Sequence, residues 1–151
     1  MTLVEIVMVV SIIGLLAAFL VPGITMAMQY RENSGAARKL MQAVQAFEMY
    51  AADHGGEYPP DQVVPSEISV PLMDAYYFPY FKIDWWDETT ALGGRWDWDV
   101  GYHGFAFSVS IWQPSKSQAQ LTKFDSMVDD GDLNTGRFRK VGSQYHYIIE
   151  E

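Results

Sequence analysis

No cysteine occurs anywhere in the 151 residues, and no lysine or arginine occurs before Arg31. The first absence excludes a disulfide framework, a cysteine metal site and a thiol nucleophile. Whatever folds must hold by packing, with or without a metal. The second absence excludes the basic n-region of a secretory signal peptide, and no small-residue cleavage site follows the apolar stretch. Positive charge is scarce overall: 10 Lys and Arg stand against 19 Asp and Glu, for a net charge of −9. Glu5, Glu32 and Glu48 cancel Arg31, Arg38 and Lys39, so residues 53–151 carry the whole excess. Such a surface repels phosphate backbones, and no nucleic-acid partner is expected. No glycine-rich phosphate loop, serine-nucleophile motif or juxtaposed pair of catalytic carboxylates stands out. We read the chain as non-enzymatic.

What the chain does have is an uncharged apolar run, Ile6 to Met28, with the single acid Glu5 at its edge. About twenty apolar residues suffice to span a bilayer as a helix, so this run is not ordinary core. A plain membrane anchor leaves Glu5 unexplained, because an ionisable group at the lipid entrance is costly and usually paired. The first cation in the chain is Arg31, so the partner comes from elsewhere. An α-amino group, with a pKa near ~8, is mostly protonated at neutral pH. The chain terminus of a neighbouring copy would serve.

Thr2-Leu3-Val4-Glu5, the apolar residues after it, Gly14, Ala17-Ala18 and Pro22 together resemble the mature N-terminus of type IV pilins and type II secretion pseudopilins. The resemblance covers about a sixth of the chain. It implies that a prepilin peptidase has cut before Met1 and that Met1 carries N-methylation, although Met1 replaces the usual phenylalanine and reads also as an initiator. It implies that Met1, Thr2, Glu5, Gly14 and Pro22 serve assembly. The expected partners are further copies in a helical filament, the inner membrane before assembly, the peptidase and the assembly machinery. The expected location is the inner membrane and then a cell-surface or periplasmic filament, either a type IV pilus or a secretion pseudopilus.

The expected fold is α+β, with a long N-terminal helix packed against a small antiparallel sheet. Residues 1–28 form the hydrophobic membrane or filament-core helix, and residues 29–151 the head. Beyond Met28 the helix turns amphipathic: Ala36, Leu40, Val44 and Phe47 recur at three- and four-residue steps, with Ala43 and Ala51 beside them. Pro22 removes a backbone donor, and Gly14 and Gly23 weaken helix, so a kink or local unwinding is expected near Gly14–Pro22. In filaments of the family this region is often melted. Gly14, Ala17 and Ala18 read equally as small residues permitting close helix contact. His54-Gly55-Gly56 ends the helix and Tyr58-Pro59-Pro60 sets an extended exit. Residues 61–100 read as a long, aromatic-rich connection. From Gly104 the period is two, predicting a half-buried strand through Trp112, and Leu121 to Phe124, Phe138 to Val141 and Tyr145 to Ile149 read as three more.

Asp125, Asp129, Asp130, Asp132 and Asn134 place five potential oxygen ligands in ten residues, a donor set suited to calcium. An EF-hand is excluded, since Thr135 occupies the glycine position of that loop and Val141 the position of its final glutamate. Major pseudopilins resembling this chain bind calcium in a loop near their C-terminus. The alternative is a surface turn capped by aspartates. Trp85, Trp86, Trp96 and Trp98 are flanked by Asp84, Asp87, Asp97 and Asp99. The rings read as core or interface anchors with the carboxylates outward, or as stacking platforms of a membrane-anchored polysaccharide-binding module. His54, His103 and His146 lie in different elements with no ligand spacing and read as structural or surface residues.

Overall fold

The computed structural model describes residues 2–61, 85–86 and 88–151. Met1, the aromatic run Tyr76, Tyr77, Phe78, Tyr80 and Phe81, and Asp84 and Asp87 lie outside the described residues. Helix α1 comprises Leu3–Asp53, followed by β1 (Arg95–Val100), β2 (Phe107–Trp112), α2 (Gln118–Val128), β3 (Phe138–Val141) and β4 (Gln144–Glu150). This is the expected α+β arrangement of a long N-terminal helix and a small antiparallel sheet. The chain divides into two compact units, Met1–Glu32 and Asn33–Glu151.

The first unit is helix alone. Its N-terminus is a capping box: the Thr2 amide donates to Glu5 Oε2 at 2.6 Å and the Glu5 amide to Thr2 Oγ1 at 3.4 Å. Two donors with no intrahelical partner are thereby satisfied. The helical assignment runs unbroken over residues 14–23 with Pro22 inside it, so the unwinding expected there is absent from the isolated chain. Thr25 Oγ1 donates to the Val21 carbonyl at 3.1 Å, and Ser11 Oγ to that of Val7 at 2.7 Å. These bonds engage carbonyls one turn back, a Ser/Thr pattern that slightly weakens and often bends a helix.

The second unit, the head, has an apolar core. Ala36, Leu40, Ala43, Val44, Phe47 and Ala51 form the buried stripe of α1 that their spacing predicts. The Gly56 amide reaches back to the Ala51 carbonyl at 2.7 Å, with Gly55 at φ 71°. That six-to-one bond is a Schellman ending, and the positive φ is why a glycine stands there. The sheet order is β1-β2-β4-β3, antiparallel throughout, with an irregularity at Phe107/Ser108. One face of the sheet carries Trp96, Trp98, Val109, Ile111, Tyr145, Tyr147 and Phe138, which join Leu40, Phe47, Leu121 and Phe124 in one cluster. Trp98 stacks on Phe47 with ring centres 3.8 Å apart.

The head departs from the sequence-based expectations at four points. Leu121 to Phe124 is helix, not strand: Ser117 accepts from the Gln120 amide at 3.3 Å as N-cap, and Leu121 and Phe124 share the inward face of α2. Asn33 and Gln120 clasp each other through two 3.2 Å bonds and tie α1 to α2 within the head. Residues 95–100, expected within the connection, are β1. The strand from Phe107 is not half-buried, since Ser108 and Ser110 are as buried as Val109 and Ile111. Asp97 and Asp99 do not face outward; they are 7% and 5% exposed. They share the second sheet face with Ser108, Ser110 and His146, which the strand register aligns as Asp97–Ser110–His146.

Candidate functional site

Among the described residues three places carry unspent chemistry, and the first is the apolar unit. From Leu3 to Met28 every large apolar side chain is exposed, Leu3 at 80% and Phe19 at 74% among them. The helix is long and apolar enough to cross a membrane. No side chain lies within 4 Å of where a Cβ on Gly14 or Gly23 would be. A helix apolar all round is stable only when lipid or other helices cover it. Glu5 and Thr2, both called for assembly, sit together at its tip in the capping box. The spacing Thr-x-x-Glu was legible as a cap, and it explains part of why an acid stands there.

The second place is the acid loop after α2. Asp125, Asp129 and Asp130 bring carboxylate oxygens within 4.8 Å of one another. Asp125 comes from the last turn of α2, is fully buried, and neither of its oxygens has a well-formed hydrogen bond. A buried carboxylate so poorly supplied with donors is costly, and a cation would supply what is missing. Burial first, then the neighbouring Asp130 and Asp129, push its carboxyl up to about 6, against a pull from the Gly131 amide. Asp129 Oδ2 accepts from the Arg137 and Phe138 amides. Asp130 accepts from the Asp132 amide at 2.8 Å and the Thr135 hydroxyl at 2.7 Å, and these donors hold its carboxyl below the usual range. Gly136 stands at φ 67°, and a Cβ there would collide with Asp129 Oδ2.

Asp132 and Asn134 are not brought into this group. Asp132 Oδ1 accepts from both the backbone and side-chain nitrogens of Asn134 at 3.1 and 2.8 Å, an Asx-type turn. The capped-turn reading therefore describes these two residues, while Asp125, Asp129 and Asp130 fit a hard divalent cation such as calcium. Chelator should lower the melting temperature of a soluble fragment starting near Ala27. With the ion at 100 times its Kd the linkage is worth about 2.7 kcal/mol, which is about 10 °C for a head of this size. Equal melting with and without chelator would leave only the capped turn.

The third place is the buried polar face of the sheet. Ser108 Oγ lies 3.1 Å and Asp99 Oδ2 3.4 Å from the same nitrogen, His146 Nδ1. A hydrolytic triad needs serine and carboxylate on opposite nitrogens, so this set is not one. Burial first, then Asp99, push the Asp97 carboxyl up to about 8; the Trp98 amide, bonded at 3.0 Å, pulls it down and Asp61 raises it again. The folded state therefore prefers Asp97 protonated. Its contribution to stability is complete below pH ~4, the unfolded pKa, and falls as pH rises through about 8, by at most about 1.4 kcal/mol per pH unit. Asp97→Asn should flatten the loss of stability between pH 5 and 8 in urea titrations. An unchanged slope would contradict this assignment.

Of the histidines, His54 stacks on Tyr50 at 3.9 Å, whereas His103 and His146, 43 positions apart, meet with ring centres 5.1 Å apart. Sequence spacing gave no sign of that meeting. Comparison of the chain with protein-family models, curated proteins and solved structures finds no match.

Proposed function

We propose that this protein is the structural subunit of a helical filament, a type IV pilus, polymerising through its N-terminal helix. The observation that carries the reading is the exposure of every large apolar side chain from Leu3 to Met28 beneath a lone acid. Before assembly, inner-membrane lipid covers that surface; after it, the same residues of other copies do. Burial at about 25 cal/mol per Å² makes the apolar surface the main attraction. A single buried carboxylate adds little net attraction and penalises misaligned packing. Repeating one heterologous contact gives an open helix of subunits rather than a closed ring.

A second reading, the major pseudopilin of a type II secretion system, is favoured by the carboxylates of Asp125, Asp129 and Asp130 near the C-terminus. Both readings are structural and share the helix. The polysaccharide-binding alternative loses its principal support, because Trp86, Trp96 and Trp98 are closed within the core. Purified full-length protein examined by negative stain should show filaments, and pull-down on insoluble polysaccharide should recover none of the head. Retention on polysaccharide without filaments would reverse the choice.

A further inference from the structure

The loop joining β1 to β2 returns the chain tightly, with the Gly101 amide bonded to the Ala106 carbonyl and that of Phe105 to Tyr102, both at 3.0 Å. At its tip His103 stands at φ 57°, in the left-handed region that non-glycine residues rarely occupy. The backbone turn thus carries an exposed imidazole to the edge of the buried ring of His146 on β4.

The hydrogen-bond partners place a lone pair on His103, and two oxygens face one nitrogen of His146. Gln144 Oε1 lies 3.0 Å from His103 Nε2. A carbonyl oxygen only accepts, so Nε2 carries the proton and Nδ1 the lone pair. Ser108 Oγ at 3.1 Å and Asp99 Oδ2 at 3.4 Å both face His146 Nδ1; in the neutral tautomer with the proton on Nδ1, the ring donates toward these oxygens and keeps its lone pair on Nε2. That Nε2 is fully buried and has no hydrogen-bond partner. In that tautomer it is a buried acceptor that lacks a donor or a cation.

We infer that His103 and His146 form a binding site for a divalent transition-metal ion of the copper or zinc kind, separate from the acid loop. Imidazole nitrogen suits these ions, whereas calcium prefers oxygen. A carboxylate on the far nitrogen of a ligating histidine is the usual orienting partner, and Asp99 occupies that place for His146. Two imidazoles bound at about 2.0–2.1 Å to one tetrahedral ion place their ring centres about 5 Å apart, the separation found here. Arg139, the neighbouring cation on β3, is engaged elsewhere, with Glu151 at 2.8 Å and the Gly136 carbonyl at 2.6 Å. The ion enters from the exposed His103 side and pins the β1–β2 loop to β4.

The test loads full-length protein in detergent with one equivalent of Cu2+ and records pulsed electron paramagnetic resonance. Wild type should show the remote-nitrogen modulation of two imidazoles. His103→Ala, a change in an exposed loop, should show one, with binding weaker by about tenfold or more. His54→Ala should match wild type. An oxygen-only copper spectrum in wild type, or a two-imidazole spectrum retained in His103→Ala, would overturn the assignment.

Discussion

Trp98→Ala should cost the head about 3–5 kcal/mol, the range for removing a large aromatic from a packed core. Folded domains have only about 5–15 kcal/mol in all. Trp98 is 1% exposed, stacks on Phe47, lies 5.9 Å from Phe107 and 5.8 Å from Tyr58, and donates its indole N–H to the Pro59 carbonyl at 3.1 Å. Truncation opens a cavity between helix and sheet and leaves that carbonyl without its donor. Trp85 is only partly buried beneath the Lys39 ammonium, which sits 5.1 Å above its ring, so Trp85→Ala should cost less than half as much. Urea unfolding of the two variants checks the order. A Trp98 variant within about 1 kcal/mol of wild type would show that the ring belongs to a surface and not to a core.

The second large effect is on assembly. Glu5→Ala removes both the cap and the charge, and Glu5→Gln separates them, because glutamine also completes a capping box. If Glu5 pairs with the amine of a neighbouring chain, both variants should reach the membrane in normal amounts and neither should give filaments. If Glu5 only caps the helix, Glu5→Gln should assemble like wild type and Glu5→Ala should suffer a loss of about 1 kcal/mol in helix stability. Membrane fractionation with filament yield distinguishes the two outcomes.

The long helix and the strands at Phe107–Trp112, Phe138–Val141 and Gln144–Glu150 were legible because their periods are clean and their boundaries carry glycine or a change of pattern. The β1 strand was hidden by composition. Trp96-Asp97-Trp98-Asp99 alternates with period two, yet aspartate is disfavoured in strands, and a polar residue in an alternating pattern ordinarily means water. Here the second face is itself buried. Helix α2 was misread because Leu121 to Phe124 is too short to show its period, while the more useful signal, Ser117 three residues before Gln120, is a cap. The acid loop was legible as a cluster, but which carboxylates converge depends on backbone turns, and these bring in Asp125 and leave Asp132 to Asn134. The His103–His146 meeting depends on sheet register and a left-handed residue, neither of which composition encodes.

The most direct test of a subunit that polymerises through its N-terminal helix is a cryo-electron microscopy map of assembled material, at a resolution that places side chains. The account predicts a helical array with Leu3 to Met28 buried against other copies, Glu5 within about 4 Å of a neighbour's terminal amine, and helical bonding relaxed between Gly14 and Pro22. Particles in which that helix stays in lipid and no filament forms, or a filament whose contacts leave Leu3 to Met28 exposed, would contradict it.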